Sequence, residues 1–343
     1  MYCWGDTLGL GPVNLGNGPV YYSPTAIAVP GITDATEIAV GGDHACVIIG
    51  SGDVWCWGAD SVGQIGHGDP TGDPPSALRG YSLPVAVPGL HDATSIASGL
   101  YHSCATLHSG QVWCWGANNA GQLGNDTEPP TSFVPVEVTG ISNAARVVAN
   151  ADHTCALLTT GAIRCWGDNS FGALGDGTTH NSPTPVAVVG ITHAVQIDLG
   201  EVHTCALLAD GRAQCWGYNH WGELGDGTTR DSSVPVTVSG IVGARAVSAA
   251  QTGTCVIVSD GRVLCWGEGT TGQLGDGKWE SSITPVEVAG IEGATAITGH
   301  VQTKCVAVAH DSLRCWGWNM AGSLGNGDPN AHSDTPVAVI GYP

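Results

Sequence analysis

Cationic charge is the scarcest commodity in this 343-residue chain. Lys and Arg together number 10 against 30 Asp and Glu, leaving a formal net charge of −20, and only 12% of residues are charged at all. Lys278 and Lys304 are the only lysines. Nucleic-acid binding and anionic-membrane binding both rely on Lys and Arg to neutralise phosphate, so the balance argues against both. No apolar run approaches the roughly 18 residues of a membrane span, which argues against membrane insertion. Met and Phe occur twice each, so Val, Ile, Leu, Ala and Trp must build the core. The 52 Gly and 19 Pro disfavour helices, because these are the two poorest helix formers. The N-terminus shows no charged-then-apolar leader pattern. The chain starts inside a motif, so any secretion signal is expected to lie outside it.

What is abundant is repetition. Cys-Trp-Gly begins at Cys3, Cys56, Cys114, Cys165, Cys215, Cys265 and Cys315, a period of about 50 residues that signals a repeat architecture. Each unit carries four short segments bounded by Gly, Asp, Ser or Pro. In the unit around Cys215 they are Ala194–Leu199, His203–Leu208, Arg212–Trp216 and Pro235–Val238. Each is too short for a helix, and four short strands per unit of this length indicate a β-propeller. An open β-solenoid is the alternative, although its coils are usually shorter. The expected organisation is one domain over residues 1–343. A half repeat (1–31) is followed by full repeats at 32–89, 90–140, 141–190, 191–240, 241–290 and 291–341. Pro84, Pro135, Pro185, Pro235, Pro285 and Pro336 are read as opening the last strand, which proline confines to a sheet edge.

Six units contain a second cysteine ten residues before the Cys-Trp-Gly. From Cys205 the chain runs to Leu208, turns through Ala209-Asp210-Gly211, and returns at Arg212, a standard three-residue hairpin with Gly in the left-handed position. That register puts Cys205 opposite Cys215. The same count pairs Cys46/Cys56, Cys104/Cys114, Cys155/Cys165, Cys255/Cys265 and Cys305/Cys315, with Asp311 in place of Gly in the last loop. Cross-strand disulfides are the favoured reading, and they imply an oxidising compartment, secreted or at the cell surface. Reduced cysteines packed as small hydrophobes are one alternative. A metal site using His44, His102, His153 and His203, each two residues before a Cys, is another. Gly253 and Thr303 interrupt that series and the Cys spacing is not that of zinc, so no metal and no cofactor are expected, and the histidines are read as hydrogen-bonded core residues. Cys3 has no such partner and is expected to be a free thiol.

The frame His-Thr-Cys-Ala-Leu-Leu…Asp-Gly…Cys-Trp-Gly-x-Asn-x-x-Gly-x-Leu-Gly-Asp-Gly-Thr resembles the repeats of the regulator of chromosome condensation family. Six full units and one half unit match. The resemblance implies a seven-bladed propeller, all-β, with four-stranded antiparallel blades. The Cys-rich variant is similar to repeats of bacterial secreted and surface proteins. Nucleotide exchange on a GTPase and nucleosome contact, which the family includes, sit poorly with the acidic balance and the expected disulfides. The Gly-Trp-Arg-His-Thr motif of an ultraviolet-B-sensing member is replaced by Gly-Leu-Tyr-His-Ser at 99–103 and Gly-Glu-Val-His-Thr at 200–204. Seven strands of the Cys-Trp-Gly type, seven of the Pro-Val type and six of each other type make 26 of the 28 a seven-bladed ring needs. The seventh blade is therefore expected to be incomplete, its two missing strands belonging to polypeptide beyond one end.

The recurring Trp and Gly residues read as scaffold, and the repeated Asp or Asn of Leu-Gly-Asp-Gly as turn-makers. Specific function should lie where repeats differ, on loops carried by a rigid frame. The candidate binding residues are Tyr218, His220, Trp221, Trp318, Met320, Phe171 and Trp279, beside Lys278, because exposed aromatics and Met are typical hot-spot material. A second candidate is the expanded loop Asp69–Leu83, with Arg79 and Tyr81. No catalytic motif stands out. The sequence thus points to an extracellular, non-enzymatic binding propeller for a protein or glycan. A secreted inhibitor capping an enzyme, or an enzyme acting in the central channel, are the alternatives. A monomer is expected unless the incomplete blade pairs with another chain.

Overall fold

Every strand in this protein is five to seven residues long where it belongs to a blade, so no single sheet can bury its own faces. The computed structural model describes residues 1–6, 13–14, 19–20, 22–68, 80–126, 130–309 and 312–341. Six four-stranded antiparallel sheets follow one another along the chain, each with its strands in sequence order. We number these blades I to VI, spanning 35–86, 93–137, 144–187, 194–237, 244–287 and 294–338. The first strands of successive blades pack on one another, which places them innermost and the fourth strands at the rim. A further two-stranded sheet joins Tyr2–Asp6 to Tyr22–Ala28, and a small ladder pairs Val13–Asn14 with Pro19–Val20.

Blade IV shows how the sequence dictates the hairpin. Leu208 N–H donates to Arg212 O at 2.9 Å, Gly211 takes φ of 80°, and alternation then sets Cys205 against Cys215. Six such pairs form disulfides, with Cα–Cα distances of 4.0–4.1 Å. Asp311, expected to replace Gly in the last hairpin loop, lies outside the described residues. Cys3 is the free cysteine. The fourth strand takes the outer edge as its proline requires, but the proline does not open it. In blade IV the strand is Ser232–Thr237 with Pro235 inside, between the pairs Gly217–Ser232 and Cys215–Val236. Trp216 alone there faces Ser233, Val234 and Pro235, and the missing N–H falls in this bulge, where no ladder bond is demanded.

Blades are joined by tryptophan. The indole N–H of Trp115, Trp166, Trp216, Trp266 and Trp316 donates to a backbone carbonyl of the preceding blade, at Gln64, Gln122, Ala173, Glu223 and Gln273, over 2.8–3.0 Å. Trp4 makes the equivalent bond to Ser323 at 3.1 Å. All five blade indoles are fully buried, each among apolar side chains of both blades. Trp216, for example, packs with Cys165, Leu174 and Val188 of blade III.

The histidines complete the seam. His44, His102, His153 and His203 share hydrogen bonds through Nε2 with Ser103, Thr154, Thr204 and Thr254 of the next blade, at 2.7–3.2 Å. Those hydroxyls donate in turn to the same carbonyls that accept the indoles. A hydroxyl has one proton, so each Nε2 must carry the hydrogen and donate. Blade V has Gly253 where the histidine would stand. Lys304 of blade VI replaces the hydroxyl residue, and its Nζ donates to Gly253 O at 2.8 Å. A long cation thus spans the space a ring would fill.

Alkylation of the unfolded, unreduced protein and mass spectrometry should find Cys3 as the one free thiol, the other cysteines reacting only after reduction; in the folded protein Cys3 should react slowly, because burial pushes its thiol up to about 11. Replacing Cys155 and Cys165 together by Ala should cost about 2–4 kcal/mol in urea unfolding, since the bridge restricts the unfolded chain. Thr154→Val strands the buried His102 donor and should cost about 1–3 kcal/mol in the same measurement.

Candidate functional site

The loops after Trp-Gly owe their shape to one amide. Asn219 is fully buried; its Oδ1 accepts Leu224 N–H at 2.9 Å, and its Nδ2 donates to Thr228 O and Arg230 O at 3.2 and 3.0 Å. Asn169 and Asn319 do the same in blades III and VI. Asp60 and Asn118 accept the matching N–H in blades I and II. Asp176 and Asp226 accept both N–H and Oγ1–H of Thr178 and Thr228, closing the next turn. The recurrence of Asn or Asp three residues after Trp was the signal for this knot in the sequence, and its role depends on a loop path that spacing alone does not reveal.

That knot holds the candidate residues in place. Tyr218 and His220 flank Asn219, and Tyr218 N–H donates to Val202 O at 3.0 Å. Trp221 N–H donates to the Glu223 carboxylate at 2.9 Å. Phe171 of blade III meets Tyr218 edge-on with ring centroids 5.0 Å apart, Tyr218 lies 6.1 Å from His220, and His220 meets Trp221 at 5.3 Å. Four rings from two blades therefore form one continuous surface; Phe171–Tyr218 and His220–Trp221 meet in the edge geometry that aromatic quadrupoles favour, and the Tyr218–His220 pair is tilted. Phe171 and Trp221 remain 39% and 40% exposed, although a packed interior would hide them.

Carboxylates surround the rings. Glu223 is buried beneath Trp221, and burial pushes its carboxyl up to about 7, with Glu268 and Asp231 adding to the rise. Tyr218 is held above its ordinary range by burial and then by Glu223, Asp231 and Glu268. Glu223 stands where Gln64, Gln122 and Gln273 occur in other repeats, so a titratable carboxyl at this place is particular to this loop.

The other candidates lie apart. Trp318 touches only the His332 ring among the described aromatic contacts, at 6.3 Å, with Met320 exposed beside it. Trp279 and Lys278 are exposed on the blade V loop. Tyr81 packs edge-on against His67 of its own blade at 5.4 Å; Arg79 and most of the Asp69–Leu83 loop lie outside the described residues. Sequence reasoning passed over Leu100, Tyr101 and Val301, exposed on the loops between first and second strands, which open on the same face. A shallow depression of about 460 Å³, lined by Thr192, His193, Asp210 and Arg212, opens on the opposite face. Among the described residues, no three His, Cys, Asp or Glu side chains converge as a metal would require.

The match to known proteins extends along the frame described above. It covers residues 1–341 as an RCC1-like domain. The chain belongs to that family. Among curated relatives, the Arabidopsis thaliana mitochondrial protein RUG3 is 31% identical over 177 residues, 49% of this chain and 38% of that protein. The Arabidopsis ultraviolet-B receptor UVR8 is 32% identical over 161 residues, 45% of this chain and 34% of that one. Human HERC6, a probable E3 ubiquitin-protein ligase, is 33% identical over 142 residues, 40% of this chain and 13% of its own length. The chain thus spans well under half of these relatives. Human WBSCR16 superposes with a TM-score of 0.87 over 100% of this chain and 95% of its own, at 20% identity. Prp20p of Saccharomyces cerevisiae does so at 0.84 over 98% and 85%, at 22% identity. Those two likenesses show the RCC1-like fold.

Protonation marks the family frame as well as the loop. Burial pushes His102 and His203 down to about 3 and His44 and His153 to about 4. A base whose folded pKa is depressed contributes stability that is present above its unfolded value near 6.5 and lost as pH falls toward the folded value. Asp198 and Glu223, raised to about 6 and 7, act oppositely in that window. Glu37 and Asp152, also raised by burial, act with those two carboxyls and His300 acts with the histidines, but the four fully buried histidines outweigh the carboxyls, so the melting temperature should fall from pH 7 to pH 4. A melting temperature that rises over that range would contradict the neutral histidine seam.

Proposed function

We propose that this RCC1-like chain is an extracellular, non-enzymatic binding propeller that grips a protein partner through the Phe171–Tyr218–His220–Trp221 surface. The observation that carries this reading is a continuous run of four rings, with Phe171, His220 and Trp221 exposed and Tyr218 half-buried, fixed by a buried amide beside carboxyl groups. Rigid aromatics give contact area at little entropic cost, and such anchors dominate interface energies. The carboxylates of Glu223, Asp231 and Glu268 favour a partner presenting Lys or Arg beside an apolar anchor, and an overall charge of −20 steers the same partner over longer range. One solved relative, yeast Prp20p, binds Gsp1p and histones and has been seen bound to Kap60. Six intrachain disulfides are consistent with an oxidising, extracellular setting.

We also infer that the Tyr2–Asp6 and Tyr22–Ala28 strands are the outer half of a seventh blade. Cys3 faces Ile27 as Cys215 faces Val236, and Trp4 makes the seam bond of the other blades.

A panel of synthetic peptides pairing Lys or Arg with Leu or Trp, against acidic counterparts, tests the binding reading through quenching of tryptophan fluorescence. Basic peptides should bind and weaken with salt, and Tyr218→Ala with Trp221→Ala should lower affinity at least about 10-fold. Equal binding of acidic peptides, or no effect of the double substitution, would overturn it.

A further inference from the structure

The residue whose carbonyl serves a seam also sends its side chain along the loop face. Gln122 Oε1 accepts Ala120 N–H at 2.9 Å, and its Nε2 donates to Asp152 Oδ1 of blade III at 2.9 Å. Gln64 and Gln273 accept the matching N–H of Val62 and Thr271 at 3.0 and 2.8 Å. Glu223 does the same through Oε2, with Trp221 N–H. Its Oε1 therefore takes the place of the Gln122 Nε2, so an acceptor stands where the repeat elsewhere puts a donor. Glu223 is fully buried, and that Oε1 meets no hydrogen-bond donor. The unpaired atom at Gln64 and Gln273 is the Nε2 donor, so of these four positions Glu223 alone calls for a donor. A buried carboxyl oxygen left without one is costly.

The facing blade adds further acceptors. Thr252 of blade V holds the place of Asp152 in the repeat. Its hydroxyl gives its hydrogen to Glu268 Oε2 at 2.6 Å, so toward Glu223 it can only accept. Thr270 Oγ1 at 2.7 Å and Gln302 Nε2 at 3.4 Å fix the Glu268 carboxylate in place. Glu268 and Asp231 lie near enough to raise the Glu223 carboxyl, and all three act on the Tyr218 hydroxyl. Among the described residues, no ion pair joins Glu223, Asp231 or Glu268 to a Lys or Arg. Tyr218, Thr252 and Glu268 are half-buried, so the cluster opens to the surface beside the Tyr218 ring.

We propose that these acceptors, at the seam of blades IV and V, bind the side-chain ammonium of one lysine of a protein partner, through Glu223 Oε1, Thr252 Oγ1 and Glu268, with the Tyr218 ring as a wall. This deepens, and rests on, the reading of the Phe171–Tyr218–His220–Trp221 surface as a docking surface. Three acceptors suit the three N–H donors of an ammonium, and a ring beside a desolvated cation adds attraction. A guanidinium carries five donors in a plane, and burying it here would leave some of them unmet. The lysine stem would lie along the neighbouring rings and cover their apolar faces. A metal ion would need three converging ligands, which the described residues do not provide.

The lysine also has a proton to displace. Burial pushes the free Glu223 carboxyl up to about 7, and an ammonium beside it favours the ionised form. The preference for lysine should therefore weaken as pH falls below that value. Tyr218, His220 and Asp231 of its own blade and Glu268 of blade V are the titratable groups around it.

The test uses the whole chain and peptides identical except for one residue beside two leucines, which is lysine, arginine or Nε-acetyl-lysine. Calorimetric titration should show the lysine peptide binding at least about 10-fold more tightly than the acetyl-lysine peptide, and more tightly than the arginine peptide. Glu223→Gln restores the donor that Gln122 carries, and should erase that preference while the acetyl-lysine peptide binds as before. From about pH 8 to about pH 6 the preference should shrink in the unaltered protein and stay flat in the variant. Equal binding of lysine and acetyl-lysine peptides, tighter binding of arginine, or a lysine preference that survives Glu223→Gln would overturn the proposal. The Tyr218→Ala and Trp221→Ala double variant separates this from the reading beneath it. If that variant weakens the acetyl-lysine peptide and no lysine preference exists, the lysine site fails and the aromatic surface stands. If no peptide binds, or the double variant binds all three unchanged, the surface fails and the lysine site with it.

Discussion

One backbone carbonyl per blade holds the ring together. At Gln64, Gln122, Ala173 and Glu223 that oxygen accepts an indole N–H and a hydroxyl hydrogen from the next blade, so both its lone pairs are used across the seam. The hydroxyl in turn takes the histidine hydrogen of the blade that owns the carbonyl. Each interface is therefore a closed polar chain set in an apolar wall, which specifies both the spacing and the rotation between blades. An unmet partner in such a buried network costs more than the bond itself contributes. The Gly253–Lys304 variation respects the same rule, because the cation finds a carbonyl and Asp198 offsets part of its burial, which pushes the amine down to about 7.

With the seam fixed, the blade itself can be thin. Strands of five to seven residues give each sheet little of its own core, and the disulfide joining second and third strands supplies what a small sheet lacks. The chain then spends its variation on the loops of one face. There the Asn219 knot and its counterparts hold a common loop path, so that changing Tyr218, Trp221 or Glu223 alters the surface without disturbing the seam. Trp221 N–H binds the Glu223 side chain, while Glu223 O belongs to the seam, which links the candidate surface to the frame through a single residue.

The pattern of Cys205, Leu208, Gly211 and Cys215 made the hairpin readable, because a three-residue turn and strict alternation leave one register. The propeller followed from the period, and the exposed position of Phe171 and Trp221 from their variation between repeats. The continuity from Phe171 to Tyr218 was not readable, since it crosses a blade boundary and depends on the angle between sheets. The interior position of Pro235 was hidden because a bulge, unlike a strand, has no periodic signature. Leu100 and Tyr101 escaped notice because a single apolar residue in a loop looks the same whether it packs or protrudes.

The ring depends most on the seam, and hydrogen exchange at the indole N–H groups tests it directly. Trp115, Trp166, Trp216, Trp266 and Trp316 should exchange slowly and together, as one cooperative unit. Independent exchange of the five, or fast exchange at any one of them, would contradict blades joined by one repeated bond.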